Sequence, residues 1–307
     1  MHQPIDLSAQ QLSAWPDFSG ADYATEALDA GQNNFICLPP DIGQFTNLRS
    51  LSVYDNQLTA LPASLWQLNL LRSLNVSVNR LIELSSDIGS LTKLQMLDIA
   101  HNQLTALPQS LGQLQQLRFL YASDNPLRTV PDIFSGLTQL IYLNLTDTPL
   151  TELPRSLGQL SSLLELRLYN SRLQSLPETL GNLTRLRELH AMKNQLSQLP
   201  ESIGGLCQLR KLSLEGNQLT ELPTTVGQLR MLTELDLRNN KLVSIPESLG
   251  NLANLRYLDL RANRLKTLPE TLAALPALEK LDLRWNKLSE IPAWLAQLES
   301  RDCIIYL

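Results

Sequence analysis

The stretch Leu255 to Ala277, LRYLDLRANRLKTLPETLAALPA, carries the pattern from which the fold can be read. Leucines stand at offsets 0, +3 and +5, an asparagine at +8, and further leucines at +10, +13, +17 and +20. The same frame recurs every 23 residues from position 2 to position 278 without insertion or deletion, and a fourteenth repeat is expected to begin at 301. A fixed period of this length predicts a solenoid in which each repeat packs on its neighbours.

Each repeat has a strand side and a return side. Offsets +3 and +5 are apolar and +2, +4 and +6 vary, which is the alternation of a pleated strand. On the return side, Leu180, Leu183 and Leu186 recur every three residues after Pro177, as in a 3₁₀ helix. Glycine at +18, such as Gly181, is expected to supply a permissive dihedral there. Because strands pack closer than the bulkier return segments, the pattern predicts a concave parallel sheet.

The period also sets the domain organisation, a single domain over residues 1–307. Residues 1–24 form a degenerate N-terminal cap repeat, because Ser19 and Asp22 are polar where later repeats are apolar. Residues 25–300 form twelve repeats, and 301–307 a partial one. In this frame Ile304 and Tyr306 face inward on a last short strand.

The asparagine at +8 has a structural role, because its amide can satisfy backbone groups where the strand ends. Gln10, Thr148 and Ser171 replace it in three repeats, and a hydroxyl does only part of that work. The ten asparagines of this ladder are Asn33, Asn56, Asn79, Asn102, Asn125, Asn194, Asn217, Asn240, Asn263 and Asn286.

Composition narrows the possible functions. A net charge of −5 and a pI of about 5.3 argue against nucleic acid or acidic membranes as partners. Cys37, Cys207 and Cys303 lie in distant repeats and cannot pair, so a reducing, cytoplasmic compartment is expected. The three histidines, His2, His101 and His190, form no catalytic or metal-ligand spacing. We therefore expect no enzyme activity, no cofactor, no metal and no small-molecule substrate.

The unit L-x-x-L-x-L-x-x-N-x-L-x-x-L-P-x-x-L-G-x-L-x-x resembles the 23-residue intracellular class of leucine-rich repeats. That class includes Ras-suppressor-like scaffolds and plant intracellular Ras-group-related proteins, and the unit is also similar to the repeat arms of some bacterial effectors. The resemblance implies an α/β-type leucine-rich repeat solenoid, a curved horseshoe that binds a protein partner across its concave sheet. The alternative is the substrate-recognition arm of a ubiquitin-ligase-like bacterial effector enzyme delivered into a host cell.

The outward positions of repeats 6 to 9 are the predicted contact site. Aromatic side chains with an arginine, a methionine and a histidine are typical of interaction hot spots. The alternative interpretation is that neighbouring rings pair only to stabilise an exposed sheet. The candidate residues are Phe119, Tyr121, Tyr142, Asn144, Arg167, Tyr169, His190 and Met192.

A second group of outward residues lies in repeats 11 to 13. Asp236, Asp259 and Asp282 stack at +4, beside arginines at +6, so the spacing predicts a salt-bridge ladder. Trp285 beside the last arginine makes the group a secondary contact candidate, and Trp66 on the return side is a candidate for a convex contact or for a local apolar cap. The secondary candidates are Arg238, Arg261, Arg284 and Trp285.

Overall fold

The computed structural model describes residues 3–18 and 23–307. It divides into two units, Met1–Pro149 and Leu150–Leu307, each built from stacked repeats. His2, Ser19 and Asp22, which the sequence analysis singled out, lie outside the described residues. Among the described residues, no helix has the length and apolar character needed to cross a bilayer.

The first unit contains a parallel sheet with one short strand from each repeat. Neighbouring strands pair one repeat apart, so that Leu51 stands opposite Leu74 and Leu97 opposite Leu120. At its start, the Trp15 ring stacks on Phe35 with centroids 4.2 Å apart, which joins the first repeat to the second. The strands are β1 (Ile5–Asp6), β2 (Ala27–Asp29), β3 (Ser50–Ser52), β4 (Ser73–Asn75), β5 (Met96–Asp98), β6 (Phe119–Tyr121) and β7 (Tyr142–Asn144).

The second unit repeats the arrangement with its own parallel strands. Leu189 on one strand stands opposite Leu212 on the next, and Leu235 opposite Leu258. The central residue of β8 to β13 is buried while most of its neighbours are half-buried or exposed, as the period-2 pattern predicts, and Ser213 and Asp282 are buried as well. The strands are β8 (Glu165–Arg167), β9 (Glu188–His190), β10 (Lys211–Ser213), β11 (Glu234–Asp236), β12 (Tyr257–Asp259), β13 (Lys280–Asp282) and β14 (Ile304–Tyr306).

The return segments are 3₁₀ helices, as the three-residue spacing predicts. A proline precedes most of them, and its carbonyl accepts the first turn's hydrogen bond, as Pro177 O does from Leu180 N at 2.9 Å. In the first unit they span Ile42–Gln44, Ala63–Gln67, Ser86–Ser90, Gln109–Gln113 and Phe134–Gly136. In the second they span Arg155–Gln159, Glu178–Asn182, Glu201–Gly205, Thr224–Gln228, Glu247–Asn251 and Glu270–Ala274.

The glycines at +18 have a different role from the one the sequence suggested. Gly181 and Gly227 lie inside 3₁₀ helices and do not adopt left-handed dihedrals. A Cβ on Gly181 would lie 2.8 Å from the Cβ of Ser202 and closer still to its carbonyl oxygen. At Gly181 and Gly227 the next return turn therefore approaches too closely for a side chain, and the dihedral explanation is wrong.

Left-handed dihedrals occur instead at offset +7, just after each strand. Asp55, Val78 and His101 have φ of 55°, 54° and 52°, and Gly216 occupies the equivalent position with φ of 69°. The asparagine of the ladder follows this residue directly, so the left-handed residue turns the chain toward the core.

The asparagine ladder forms as predicted. The Nδ2 group of Asn79 donates to the carbonyl oxygens of Val53, Val76 and Ser77 at 3.0–3.1 Å, and its Oδ1 accepts the backbone N–H of Leu58 at 2.9 Å. Each asparagine thus joins its own turn to that of the preceding repeat.

The C-terminal strand is shifted by one residue from the predicted frame. Leu281 pairs with Ile305, 24 positions later, and Ile304 pairs with Lys280. Ile304 is 56% exposed and Tyr306 is 38% exposed, so the predicted inward orientation of these two residues is wrong. The last return segment is an α-helix, α1 (Leu295–Glu299), followed by Asp302 in a left-handed conformation, and this connection uses one extra residue before the strand.

Candidate functional site

Four predicted contact residues lie on the last two strands of the first unit. Phe119 stands opposite Tyr142 and Tyr121 opposite Asn144, as the period predicts. The ring contact joins Tyr121 to Tyr142, with centroids 4.9 Å apart and planes tilted by 37°. All four are half-buried, so the patch is less exposed than the sequence suggested. The Asn144 Oδ1 also accepts the backbone N–H of Thr146 at 3.1 Å.

The other four lie on the second unit, so the predicted site is divided between the two units. Arg167 Nε donates to Glu165 Oε1 at 2.6 Å, and His190 Nε2 lies 3.0 Å from Glu188 Oε2. Tyr169 and Met192 are half-buried beside them. Contacts with a glutamate on the same strand therefore hold the arginine and the histidine in position.

The ligand atoms of Glu165, Glu188 and His190 lie within 4.8 Å of one another. The parallel register brings this set together, because Glu165 pairs with Glu188 and Arg167 with His190. Carboxylate oxygens and imidazole nitrogens are ligand types that zinc uses. The sequence analysis missed the set because it sought spacing along the chain. The Arg167 guanidinium already forms an ion pair with one of these carboxylates, that of Glu165.

The outer sheet face of the second unit contains a groove of about 540 Å³ across β9 to β13. Ser213 has the smallest side chain of its lining, is 5% exposed and pairs with His190 on one side and Asp236 on the other, and we call this point the floor of the groove. Because the serine side chain is smaller than those of His190 and Asp236 beside it, the surface formed by the +4 residues is lowest at β10. Met192 and Tyr257 contribute apolar surface to the walls.

The predicted salt-bridge ladder is present along this face. Arg261 donates to both carboxylate oxygens of Asp259 at 2.6–3.0 Å and lies 3.3 Å from Asp282. Arg284 Nη2 donates to Asp282 Oδ2 at 2.7 Å. Arg238 forms ion pairs with two carboxylates, those of Glu215 at 2.7 Å and Asp236 at 3.3 Å. The aspartates at +4 have a second role that the sequence analysis missed, because Asp259 Oδ1 also accepts the N–H of Arg261, two residues later.

Two aspartates of the ladder differ in their electrostatic balance. Burial raises the pKa of Asp236, and although Arg238 opposes this, the charges of Asp259 and Glu215 add to the increase. Burial also acts on Asp282, but hydrogen bonds from Arg284 and the charge of Arg261 prevail and lower its pKa. Asp236, on the middle strand of the groove, therefore has less compensating positive charge than Asp282.

The two tryptophan candidates differ in exposure. Trp285 is 72% exposed, and the Arg284 guanidinium lies 5.5 Å from its ring centroid. Trp66 is only 6% exposed, so it is part of the apolar interior, and the proposed convex contact is wrong. The reason is local: Trp66 lies inside the 3₁₀ helix Ala63–Gln67, where its ring packs against the repeat core.

Comparisons with known proteins identify the family. Models described as leucine rich repeat or leucine-rich repeat region match residues 36–141, 208–229 and 230–288. The structure of a leucine-rich repeat protein from Leptospira interrogans is 34% identical with a TM-score of 0.80, and the match covers 97% of this chain and 82% of that one. This chain is a leucine-rich repeat protein. No curated protein sequence matches it.

Two other solved leucine-rich repeat structures are similar. The plant peptide hormone receptor RGFR1, in complex with RGF2, is 27% identical with a TM-score of 0.77, and the match covers 92% of this chain and 52% of that one. YopM from Yersinia enterocolitica is 28% identical with a TM-score of 0.58, and the match covers 87% of this chain and 58% of that one. The present leucine-rich repeat protein thus spans little more than half the length of either.

Proposed function

We propose that this leucine-rich repeat protein is a non-enzymatic scaffold that binds a protein partner on the outer face of its sheet. The observation that carries the proposal is the groove on the second unit, which combines a depressed floor at Ser213 with apolar walls and paired charges. A concave, partly apolar surface with fixed polar groups is the usual form of a binding site. The similar protein RGFR1 is a plant peptide hormone receptor and was solved in complex with RGF2, which supports a peptide-like partner here.

Met192 and Tyr257 do not belong to the buried leucine core, so they can be changed without unfolding the repeats. We expect the double variant Met192→Ala, Tyr257→Ala to fold normally and to bind the partner at least tenfold more weakly. A tenfold loss of affinity corresponds to about 1.4 kcal/mol of binding free energy. The matched control is Met231→Ala with Val243→Ala, because these side chains are 38% and 50% exposed and lie outside the groove.

The experiment begins with a pull-down and mass spectrometry, followed by calorimetric titration of the captured protein against both variants. A partner that binds the groove variant as tightly as the parent would contradict the proposed surface. The aromatic patch of the first unit is tested in the same titrations with Tyr142→Ala, and the second-unit candidates with Arg167→Ala. The Tyr142→Ala and Arg167→Ala variants are both expected to fold normally and to bind the partner more weakly than the parent protein does.

The cellular setting is part of the proposal. The three cysteines are free thiols, and burial raises the pKa of the Cys303 thiol, which suits a reducing compartment such as the cytoplasm. The alternative role as the recognition arm of a bacterial effector enzyme predicts a reading frame that continues past Leu307. Sequencing the gene beyond that codon separates the two roles, and cell fractionation tests the compartment.

A further inference from the structure

The charges that line the groove are unevenly distributed. Five carboxylates and three Lys or Arg side chains line it, and Arg261 and Arg284, which are not part of the lining, pair with two of the five carboxylates. The cations are Lys211, Arg238 and Lys280, and the Lys211 ammonium lies 3.2 Å from Glu234. At the far end Lys280 lies 5.1 Å from the Tyr306 ring centroid. The carboxylates are Glu215, Glu234, Asp236, Asp259 and Asp282.

The imbalance is greatest beside the floor. Asp282 interacts with the guanidinium groups of Arg261 and Arg284, and both oxygens of Asp259 accept hydrogen bonds from Arg261. Asp236, in contrast, shares the guanidinium group of Arg238 with Glu215. The shared arrangement is uneven, because Arg238 is 2.7 Å from Glu215 but 3.3 Å from Asp236. On its other side Asp236 faces neutral Ser213 across the strand pair. The Asp236 carboxylate, whose side chain is 27% exposed, therefore borders the open floor of the groove.

The neighbouring side chains suit the stem of a long basic residue. Met192 and Tyr257 provide apolar and aromatic surface within the same groove, and arginine and lysine stems pack on such surfaces while their charged heads reach a carboxylate. The Tyr257 hydroxyl donates to Glu279 Oε2 at 2.9 Å, which fixes the ring.

Building on the proposed function, we propose that the groove takes a segment of the partner that carries an arginine or lysine, whose charged group binds Asp236 over Ser213. With the added cation, Asp236 and Glu215 each have one positive group, as Asp259 and Asp282 already have in Arg261 and Arg284. An acidic segment in the same place would add a charge of the same sign as the five carboxylates. Burial is the main cause of the raised pKa of Asp236, and the charges of Asp259 and Glu215 add to it.

The test uses a random dodecamer peptide library displayed on phage and selected on the full chain. Selected peptides are expected to share one arginine or lysine. A synthetic peptide of that consensus is then titrated calorimetrically against its citrulline form, a neutral isostere of arginine, or its norleucine form if the residue is lysine. Loss of the charge should weaken binding about tenfold, equal to 1.4 kcal/mol.

The protein variant is Asp236→Asn, which keeps a side-chain oxygen for the N–H of Arg238, as Asn144 does for Thr146. It should bind the basic peptide about tenfold more weakly and the neutral peptide as the parent does. The control is Asp98→Asn, at the same repeat position on the first unit and outside the groove, which should bind both as the parent does.

The outcomes distinguish this inference from the function on which it rests. Peptides without a common basic residue, or equal affinity of Asp236→Asn for the basic peptide, would overturn the assignment of Asp236 while leaving the scaffold function intact. A library that yields no peptide for the groove would count against both. Circular dichroism of each variant checks that the repeats remain folded.

Discussion

At the scale of single residues, the asparagine ladder shows how one side chain can join neighbouring repeats. Asn125 is 2% exposed, and its amide donates to the carbonyl oxygens of Ile99, Ala122 and Ser123 at 3.0–3.3 Å. Thr148 occupies the same position one repeat later, where its hydroxyl donates to Leu145 O at 2.8 Å. A hydroxyl has one proton to donate and an amide has two, so the two rungs cannot be equivalent.

We therefore predict that Thr148→Asn stabilises the protein by about 1 kcal/mol, the usual worth of one added hydrogen bond. The reciprocal change, Asn125→Thr, should cost roughly 1–3 kcal/mol, because it leaves buried carbonyl groups with fewer donors. Urea unfolding followed by circular dichroism measures both. If the Thr148→Asn variant unfolds at a lower urea concentration than the parent, the hydroxyl is the better group in this turn.

At the scale of elements, the return turn at Gly181 makes a close contact with the backbone of the next turn. A methyl group on Gly181 would meet the backbone and the Cβ of Ser202 in the next 3₁₀ helix. Ala273 stands at the same repeat offset, but the segment after it is the helix α1 instead of a 3₁₀ turn. Trp66 and Ser135 also stand at this offset, so the need for glycine depends on how closely the next turn approaches in each repeat.

Gly181→Ala is expected to destabilise the second unit by roughly 1–3 kcal/mol, since the neighbouring turn must move to make room. The control is Ala273→Gly, which should cost no more than about 1 kcal/mol through backbone entropy. Thermal unfolding of both variants tests this contrast. Equal melting temperatures for Gly181→Ala and the parent would mean that the turns are not in close contact in solution.

The shifted C-terminal strand gives a second prediction at this scale. Ile305 pairs with Leu281 and is half-buried, whereas Ile304 is 56% exposed. Ile305→Ala should therefore cost about 1–2 kcal/mol, less than a fully buried isoleucine would. Ile304→Ala should change the stability by less than about 0.5 kcal/mol. Chemical denaturation of the two variants discriminates between registers, because the 23-residue frame predicts the opposite order.

At the scale of the whole molecule, the acidic groups respond to pH in two directions. The pKa of Asp236 is raised above its ordinary 3.8, mainly by burial, so the folded protein holds this proton more tightly than the unfolded chain does. Ionised Asp236 therefore costs stability at neutral pH, and the cost disappears as the pH falls through the raised value toward 3.8. Asp282 acts in the opposite sense, because its pKa is lowered despite burial, and its contribution is lost only below pH 3.8.

Asp236→Asn should thus raise the free energy of unfolding at pH 7 by up to about 1 kcal/mol, the upper range for a partly exposed ion pair. That gain should shrink as the pH falls toward 3.8. Asp282→Asn should lower the free energy of unfolding at pH 7 by roughly 1.5–3 kcal/mol, the worth of hydrogen bonds to a charged group, and the loss should shrink below pH 3.8. Urea titrations at pH 7, 5 and about 3.5 measure both. Parallel pH profiles for the two variants would refute the difference in charge balance.

The amino-acid sequence by itself determined the repeat, the parallel register, the buried leucines, the asparagine ladder and the pairing of Asp259 with Arg261. These features depend on residue type at a fixed offset, and the offset repeats because each unit contacts only its neighbours. The tertiary structure alone decided the reason for Gly181, the burial of Trp66, the extra residue before Ile304 and the groove over Ser213. Each of these depends on how closely two segments approach or on the size of a neighbouring side chain, and a one-dimensional period contains no distances across the stack.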